Sequence, residues 1–518
     1  MFGFNKVGFL LISSIAFNQS YSSNSSLQSA FPSQLIAFEF EGVENGNFNH
    51  FNGIRPFIPK KPTGFNLYFT NYIAFNKGHP NIDNYGEFYL LERENIFNSF
   101  KISYNNNWLL INIEPYRLSR SNFLHTPIDF TTFQKINDQI DYGTYAHVNN
   151  QFVPSDLNYG HSELGFRESS IIVHYNGVGI SYGNTSNWWG SGMHSSIVLS
   201  SNAPGMKTYT LGTLKDYRYK NYSFGLRTIV SPYKSNNGTS LYYSGLAANL
   251  TYYSNPTITV GFFRTYLSGD LSNLSSSTNF SEKWKIEDAF NLLFEPLFGQ
   301  SKTDLNYTEP GTPGFDQWDE LLSGFVNITF PKSLLKVYLE LASDDNRGNL
   351  TDLVAHWDHT LAYLIGFRKY YKIGKWKLLV GSEYLSNKPS NTFNALFYRG
   401  DPNTSNYYVK PRFDFFTYKG RRIGAHSGSS SDDLLFTLGL SNEVSSVLTS
   451  FNKERHGIKS MTYPELKTEY VLTYHRKITQ HHTAFITLEY EKINNFGFIQ
   501  NNISISKLIW LGYSFSIN

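Results

Sequence analysis

Apolar residues recur at every second position through segment after segment of this chain, and that period admits little besides a β-strand with two unlike faces. In Leu335 to Ala342, one face carries Leu335, Val337, Leu339 and Leu341, and the other carries Lys336, Tyr338 and Glu340. The same division sets Leu361, Tyr363, Ile365 and Phe367 against Arg368, and Trp376, Leu378 and Val380 against Lys377 and Glu383. It sets Ala484, Ile486, Leu488 and Tyr490 against Thr487 and Glu489. In the last residues, Ile509, Leu511, Tyr513, Phe515 and Ile517 alternate with Trp510, Gly512, Ser514 and Ser516, an aromatic-rich amphipathic strand. One face suits lipid and the other suits water.

A soluble β-sandwich alternates in the same way. Three features favour a membrane barrel instead: strands near the roughly 9 to 11 residues that a tilted membrane strand needs, aromatics crowding the strand ends, and a closing strand that runs to the last residue. Composition agrees. Only 16% of residues are charged and 17% are aromatic, with 37 Tyr beside 43 Phe, whereas a soluble domain carries about 25% charge. A mean hydropathy of -0.35 is what lipid-facing and lumen-facing residues average to. The expected class is all-β, a large antiparallel transmembrane β-barrel, and at about 25 residues per strand and turn the chain supplies roughly 16 to 20 strands.

Residues 2 to 22 carry one cation, Lys6, then the apolar run Val7 to Phe17 and a small polar stretch, the layout of a secretory signal peptide. The expected organisation is therefore a signal peptide over 1–22 and a single outer-membrane barrel domain over 23–518. No segment offers about 20 consecutive apolar residues for a spanning helix. With no cysteine, disulfides, Cys-ligated zinc and a lipidated N-terminal cysteine are excluded. A net charge of +3 without basic runs argues against nucleic acid as a partner. Ser281 to Phe298 places Ile286, Ala289, Phe290, Leu293 and Leu297 at helical spacing, so a small amphipathic helix is expected there, inserted between strands. Ser23 to Gly64 is too short for a plug domain of the ligand-gated transporter kind. Long Gly-, Ser- and Asn-rich stretches, Ser427 to Asp433 among them, are expected to face outward.

Two stretches stand out for chemistry. In NWWGSGMHSSIVLSSNAP (187–204), Trp188 and Trp189 precede two glycines, aromatic faces beside a backbone that can turn sharply; such faces stack on sugars, or else anchor the membrane interface. In YKGRRIGAHSGSSSDDLL (418–435), Arg421, Arg422 and His426 lie near Asp432 and Asp433, arranged either to pair with an acidic polymer or to salt-bridge internally. Tyr407, Tyr408 and Arg412 make a second aromatic and basic cluster. Nothing in the sequence calls for a catalyst or a cofactor. Gly160 to Leu164 lacks the second glycine of a nucleophile elbow, and His194-Ser195 and His426-Ser427 show no partner acid. Asp344, Asn346 and Gly348 fall short of a calcium loop, and His481-His482 alone makes no metal site. Arg227, Glu340, Arg368, Glu383, Glu469 and Glu489 fall on the polar faces of their strands, either tuning an open pore or pairing inside an occluded one.

The WWG-x-G segment with its following Ser, Leu and Asn run, and the later G-R-x-I-G segment with acidic residues downstream, resemble the capsule-assembly Wzi family of outer-membrane proteins. His161 to Ser169 (HSELGFRES) and Phe451 to His456 (FNKERH) are similar too, and Ser191 stands where the WWGPG form has proline. The resemblance implies an eighteen-stranded barrel occluded by loops and by a periplasmic helical element. It also implies a non-enzymatic surface lectin that attaches capsular or extracellular polysaccharide to the cell, with outer-membrane lipid and polysaccharide-export machinery as further partners. Trp188, Trp189, Arg421, Arg422, His426, Tyr407, Tyr408 and Arg412 are then the residues expected to bind glycan on outer loops, the alternative being that a loop carries them inside the barrel. The alternative is a diffusion porin built on the same barrel.

Overall fold

The computed structural model describes residues 32–58, 64–80, 83–88, 90–121, 162–235, 238, 240–269, 318–344, 361–388, 407–408, 416–458 and 461–517. Among the described residues, eighteen antiparallel strands close into one barrel. Each strand pairs with its neighbours in sequence, except at the seam, where Gly64–Lys77 meets Ile503–Ile517 from Leu67↔Ile517 to Lys77↔Lys507. One strand is broken in two, Thr208–Thr213 and Tyr217–Tyr219, both halves lying against Tyr222–Lys234.

The period-two faces fall as the sequence predicts. In the strand Leu335–Asp344, Val337, Leu339 and Leu341 point to the lipid side, while Lys336, Tyr338 and Glu340 are buried in the lumen. Leu361–Ile373, Trp376–Ser386, His482–Asn494 and Ile503–Ile517 repeat the pattern. The predicted lumen-facing charges Arg227, Glu340, Arg368, Glu383, Glu469 and Glu489 are all buried. Such a wall exists because water-facing and lipid-facing side chains must separate at every residue, and closure leaves no backbone edge exposed to lipid.

The two ends of the barrel differ. The connections 106–108, 176–177, 220–221, 253–256, 331–334, 374–375, 442–444 and 478–481 are tight turns at the end where the seam strands begin and finish. Tyr175, Tyr217, Tyr219, Tyr222, Tyr252 and Tyr371 stand exposed beside them as an aromatic girdle. At the opposite end the connections include 78–92, 121–161, 184–207, 270–317, 345–360 and 387–431. Short turns mark the periplasmic end and long loops the outer one.

The lumen is furnished from within the chain. A helix, Pro32–Asn45, enters the short-turn end and turns Leu35, Ile36, Phe40 and Val43 to the interior. It stops at Gly46, whose φ of 70° is the left-handed conformation that closes many helices. Phe40 and Phe48 pack edge-on against Tyr370, at 5.2 and 5.3 Å between centroids. Farther along, Ile54–Arg55 pairs antiparallel with Trp188–Trp189. The segment expected to be too short for a plug thus fills part of the lumen, because one helix and one extended stretch suffice where two outer loops supply the rest. The helix expected at 281–298 and the signal peptide at 1–22 lie outside the described residues.

Candidate functional site: loops folded into the lumen

Residues 184–207 leave the wall and run inward, and their glycines make this route passable. A Cβ at Gly190 would stand 3.2 Å from Glu340 Oε2, and one at Gly192 would stand 2.1 Å from the Ser195 carbonyl and 3.0 Å from Glu383 Oε1. With that clearance Glu383 becomes the anchor of the loop. Its carboxylate accepts the main-chain N–H groups of Met193 (2.6 Å), His194 (3.2 Å) and Ser195 (2.7 Å), together with the Tyr338 hydroxyl (2.7 Å). Successive N–H groups converging on one anion form a nest, which meets the need of a buried carboxylate for donors.

The two tryptophans pack inward with no exposed surface. The Arg55 guanidinium lies 4.7 Å above the Trp188 ring, a cation–π contact strengthened by exclusion of water. Trp189 stacks toward Phe263 (6.0 Å), which stacks on Phe325 (4.9 Å), which stacks on Phe51 (5.1 Å). Burial, followed by repulsion from Arg368, holds Arg55 down to about 9.

A second inward segment, 416–431, lies against the first. A short hairpin pairs Thr417–Tyr418 with Arg421–Arg422. Arg421 donates to the carbonyls of Gly86 (2.8 Å), Phe88 (3.1 Å) and Asn202 (3.3 Å), drawing the 78–92 loop into the same assembly. Arg422 rests 5.1 Å over the Tyr408 ring, and Tyr408 donates its hydroxyl to the Ile197 carbonyl. Tyr407 accepts the main-chain N–H of Ala362 at 3.1 Å. Ser200 Oγ donates to the Gly424 carbonyl at 2.6 Å, and Asn202 donates to the Arg422 carbonyl at 2.9 Å.

At the short-turn end the anchor is Glu39 of the helix. It accepts from Lys336 Nζ, Arg368 Nε and the Tyr370 hydroxyl, each at 2.8 Å. Arg368 also donates to the Ser191 carbonyl at 3.2 Å, so one guanidinium ties the helix to the tryptophan loop. Burial works against ionisation of Glu39, but the two cations and their hydrogen bonds overcome it and hold the carboxyl at about 2.

The structure therefore corrects where the expected glycan-binding residues lie. Trp188, Trp189, Tyr407, Tyr408, Arg421, Arg422 and His426 are each buried to 2% exposure or less, brought together inside the barrel instead of standing on outer loops. Ser427 to Ser431 are buried with them. The small serines and glycines that looked like open loop are what allow close packing. Arg412 lies outside the described residues. Asp433, near His426 in the sequence but remote from His194, is the acid that both His-Ser pairs meet: Ser195 Oγ donates to its Oδ2 at 2.8 Å, with His194 Nε2 at 3.4 Å and His426 Nε2 at 3.5 Å from the same oxygen.

No family model matches the chain, and no curated protein matches it. Among solved structures, the barrel is similar to Wzi of Escherichia coli, described as a carbohydrate-binding β-barrel involved in group 1 capsule assembly. The TM-score is 0.53 at 11% identity, covering 94% of this chain and 89% of that one. It also matches OccAB4 of Acinetobacter baumannii (TM-score 0.38, 9% identity, 89% and 100% of the two chains) and OpdQ of Pseudomonas aeruginosa (TM-score 0.40, 8% identity, 88% and 97%). The motifs that resemble the Wzi family thus belong to a chain whose fold is similar to that of Wzi, an eighteen-stranded barrel of the outer-membrane type.

Proposed function

We propose that this protein is a non-enzymatic outer-membrane lectin that holds capsular or other extracellular polysaccharide at the cell surface. The observation that carries the reading is the furnished lumen. The helix Pro32–Asn45 and the loops 184–207 and 416–431 occupy space that a diffusion porin leaves to solutes, and they are fastened there by buried ion pairs and hydrogen bonds. A barrel packed in this way offers its outer mouth as a working surface. The buried tryptophans, tyrosines and arginines are the foundation of that surface, on which an acidic glycan would be met. The fold's likeness to a barrel described as carbohydrate binding supports the same reading.

The test is to delete the gene in its host and to measure polysaccharide held on washed cells against polysaccharide released to the medium. Continued synthesis with release to the medium is the expected result, and attachment at the parental level would overturn the proposal. Purified protein in a planar bilayer supplies the second arm. The proposal expects no large steady conductance steps, and their appearance would favour a porin.

A further inference from the structure

Two histidines from the inward loops meet two carboxylates of the wall. Asp433 and Glu454 are direct cross-strand partners on Asp432–Ser441 and Ser445–His456, both turned into the lumen. His426 Nε2 stands 3.5 Å from Asp433 Oδ2 and 3.5 Å from Glu454 Oε1, and His194 Nε2 stands 3.4 Å from Asp433 Oδ2. One ligand atom from each of the four residues lies within 4.8 Å of the others. These separations are long for hydrogen bonds. The three separations of 3.4 to 3.5 Å are close to the edge of a tetrahedron whose centre lies about 2.0 to 2.1 Å from each corner, roughly 3.3 to 3.4 Å, as zinc–imidazole and zinc–carboxylate bonds require.

A second observation points the same way. His426 is 2% exposed, and its Nε2, aimed between the two carboxylates, has no hydrogen-bond partner. Buried polar atoms are rarely left so, and each one calls for an explanation.

We propose that His194, His426, Asp433 and Glu454 bind a divalent transition-metal ion of the zinc type, which clamps both inward loops to the barrel wall. Two imidazoles with two carboxylates are a donor set suited to such ions.

The present neighbours define what loading rearranges. Asn452 Nδ2 now donates to His194 Nε2 at 2.6 Å and to Asp433 Oδ1 at 2.8 Å; with the ion present it keeps the second bond. Lys467 Nζ lies 3.0 Å from Glu454 Oε1 and is shared with Asp83, Glu491 Oε2 (3.3 Å) and Glu469 Oε2 (3.7 Å), so transfer of Glu454 to the ion leaves the ammonium three carboxylates. Asn84 Nδ2 donates to the His194 carbonyl at 3.0 Å and meets His426 Nδ1 at 3.2 Å, while its Oδ1 has no partner. On loading, that amide reverses: Oδ1 accepts from Nδ1–H, the bond to the His194 carbonyl is given up, and the Nε2 lone pair faces the ion. A metal-bound histidine is ordinarily held through its other nitrogen in this way.

The experiment uses the full-length barrel, stripped with a chelator, desalted, and loaded with Co²⁺ or Zn²⁺ as the probe. One ion retained per chain, with cobalt absorption of four-coordinate intensity, is expected for the wild type. His194→Ala and His426→Ala should abolish retention, and Asn84→Ala should weaken it by on the order of 10- to 100-fold. His481→Ala with His482→Ala, at the opposite end, should change nothing. Heat-modifiable migration in detergent gels shows that each variant barrel is folded. Failure of the folded wild type to retain the ion, or unaltered retention when both loop histidines are replaced, overturns the proposal. Either result leaves the polysaccharide measurement on cells standing by itself.

Discussion

Met193 donates its main-chain N–H to Glu383 Oε2 across 2.6 Å, a bond between an inserted loop and the wall that is repeated at His194 and Ser195. Replacing Glu383 by Ala removes the acceptor of three buried N–H groups and a tyrosine hydroxyl. Leaving such donors unmet costs about 1 to 3 kcal/mol each where no water reaches them, so a loss of about 3 kcal/mol or more is expected. Release of the tryptophan loop should then raise single-channel conductance in planar bilayers. An unchanged, silent barrel would show that the loop is held by other contacts.

Gly245 sits on the wall beneath Trp189. A Cβ there would approach the indole ring to 2.8 Å and Thr265 Cγ2 to 2.9 Å. Gly245→Ala should destabilise the barrel by about 1 to 3 kcal/mol through overpacking, read as a lower temperature of the folded-to-unfolded gel shift. Combining it with Trp189→Phe should recover part of the loss, because the smaller ring vacates the contested space.

Glu39 carries a pH signature. Its carboxyl is held at about 2 against an ordinary value of 4.5. A depressed carboxyl contributes stability that is complete above the ordinary value and is lost as pH falls through the folded one. The docked helix should therefore weaken by about 3 kcal/mol between roughly pH 4.5 and 2. Because the chain has no cysteine, a single spin label at Ala37→Cys reports helix mobility without background. Mobility should rise across that window, and Glu39→Gln should show the mobile spectrum already at neutral pH.

On the lipid side the demand is reversed. Leu339 is 38% exposed beside Tyr338 at 1%. Leu339→Arg, near the middle of its strand, should cost about 2 to 4 kcal/mol in bilayer refolding measurements. The same substitution in a soluble sandwich strand facing water would be nearly free, so this variant also checks which solvent the face meets.

The wall was legible in the sequence because lipid and lumen impose opposite requirements at successive residues, and Leu335 to Ala342 displays both on one strand. The helix was not. Its Phe38-Glu39-Phe40-Glu41 core alternates with period two, so the local pattern imitates a strand until tertiary contacts decide. The WWGSG and GRRIGAH segments stand out in the sequence, and their density of aromatic and arginine residues reflects interior packing. The flanking runs Ser195-Ser196, Ser200-Ser201 and Ser429 to Ser431 are a usable signal, since small side chains let backbones approach each other. The grouping of His194, His426, Asp433 and Glu454 could not be read along the chain at all. Two wall strands and two infolded loops must be in place before those side chains meet.

The seam has a consequence for biogenesis. Every other strand pair joins neighbours in sequence, whereas Gly64–Lys77 is closed only by the distant Ile503–Ile517. Until that last partner arrives, two strand edges carry unmet N–H and C=O groups that a hydrocarbon environment cannot satisfy. A chain cut short by a single strand is thus an open, sticky sheet instead of a smaller pore. Closure of that seam becomes a condition of membrane residence.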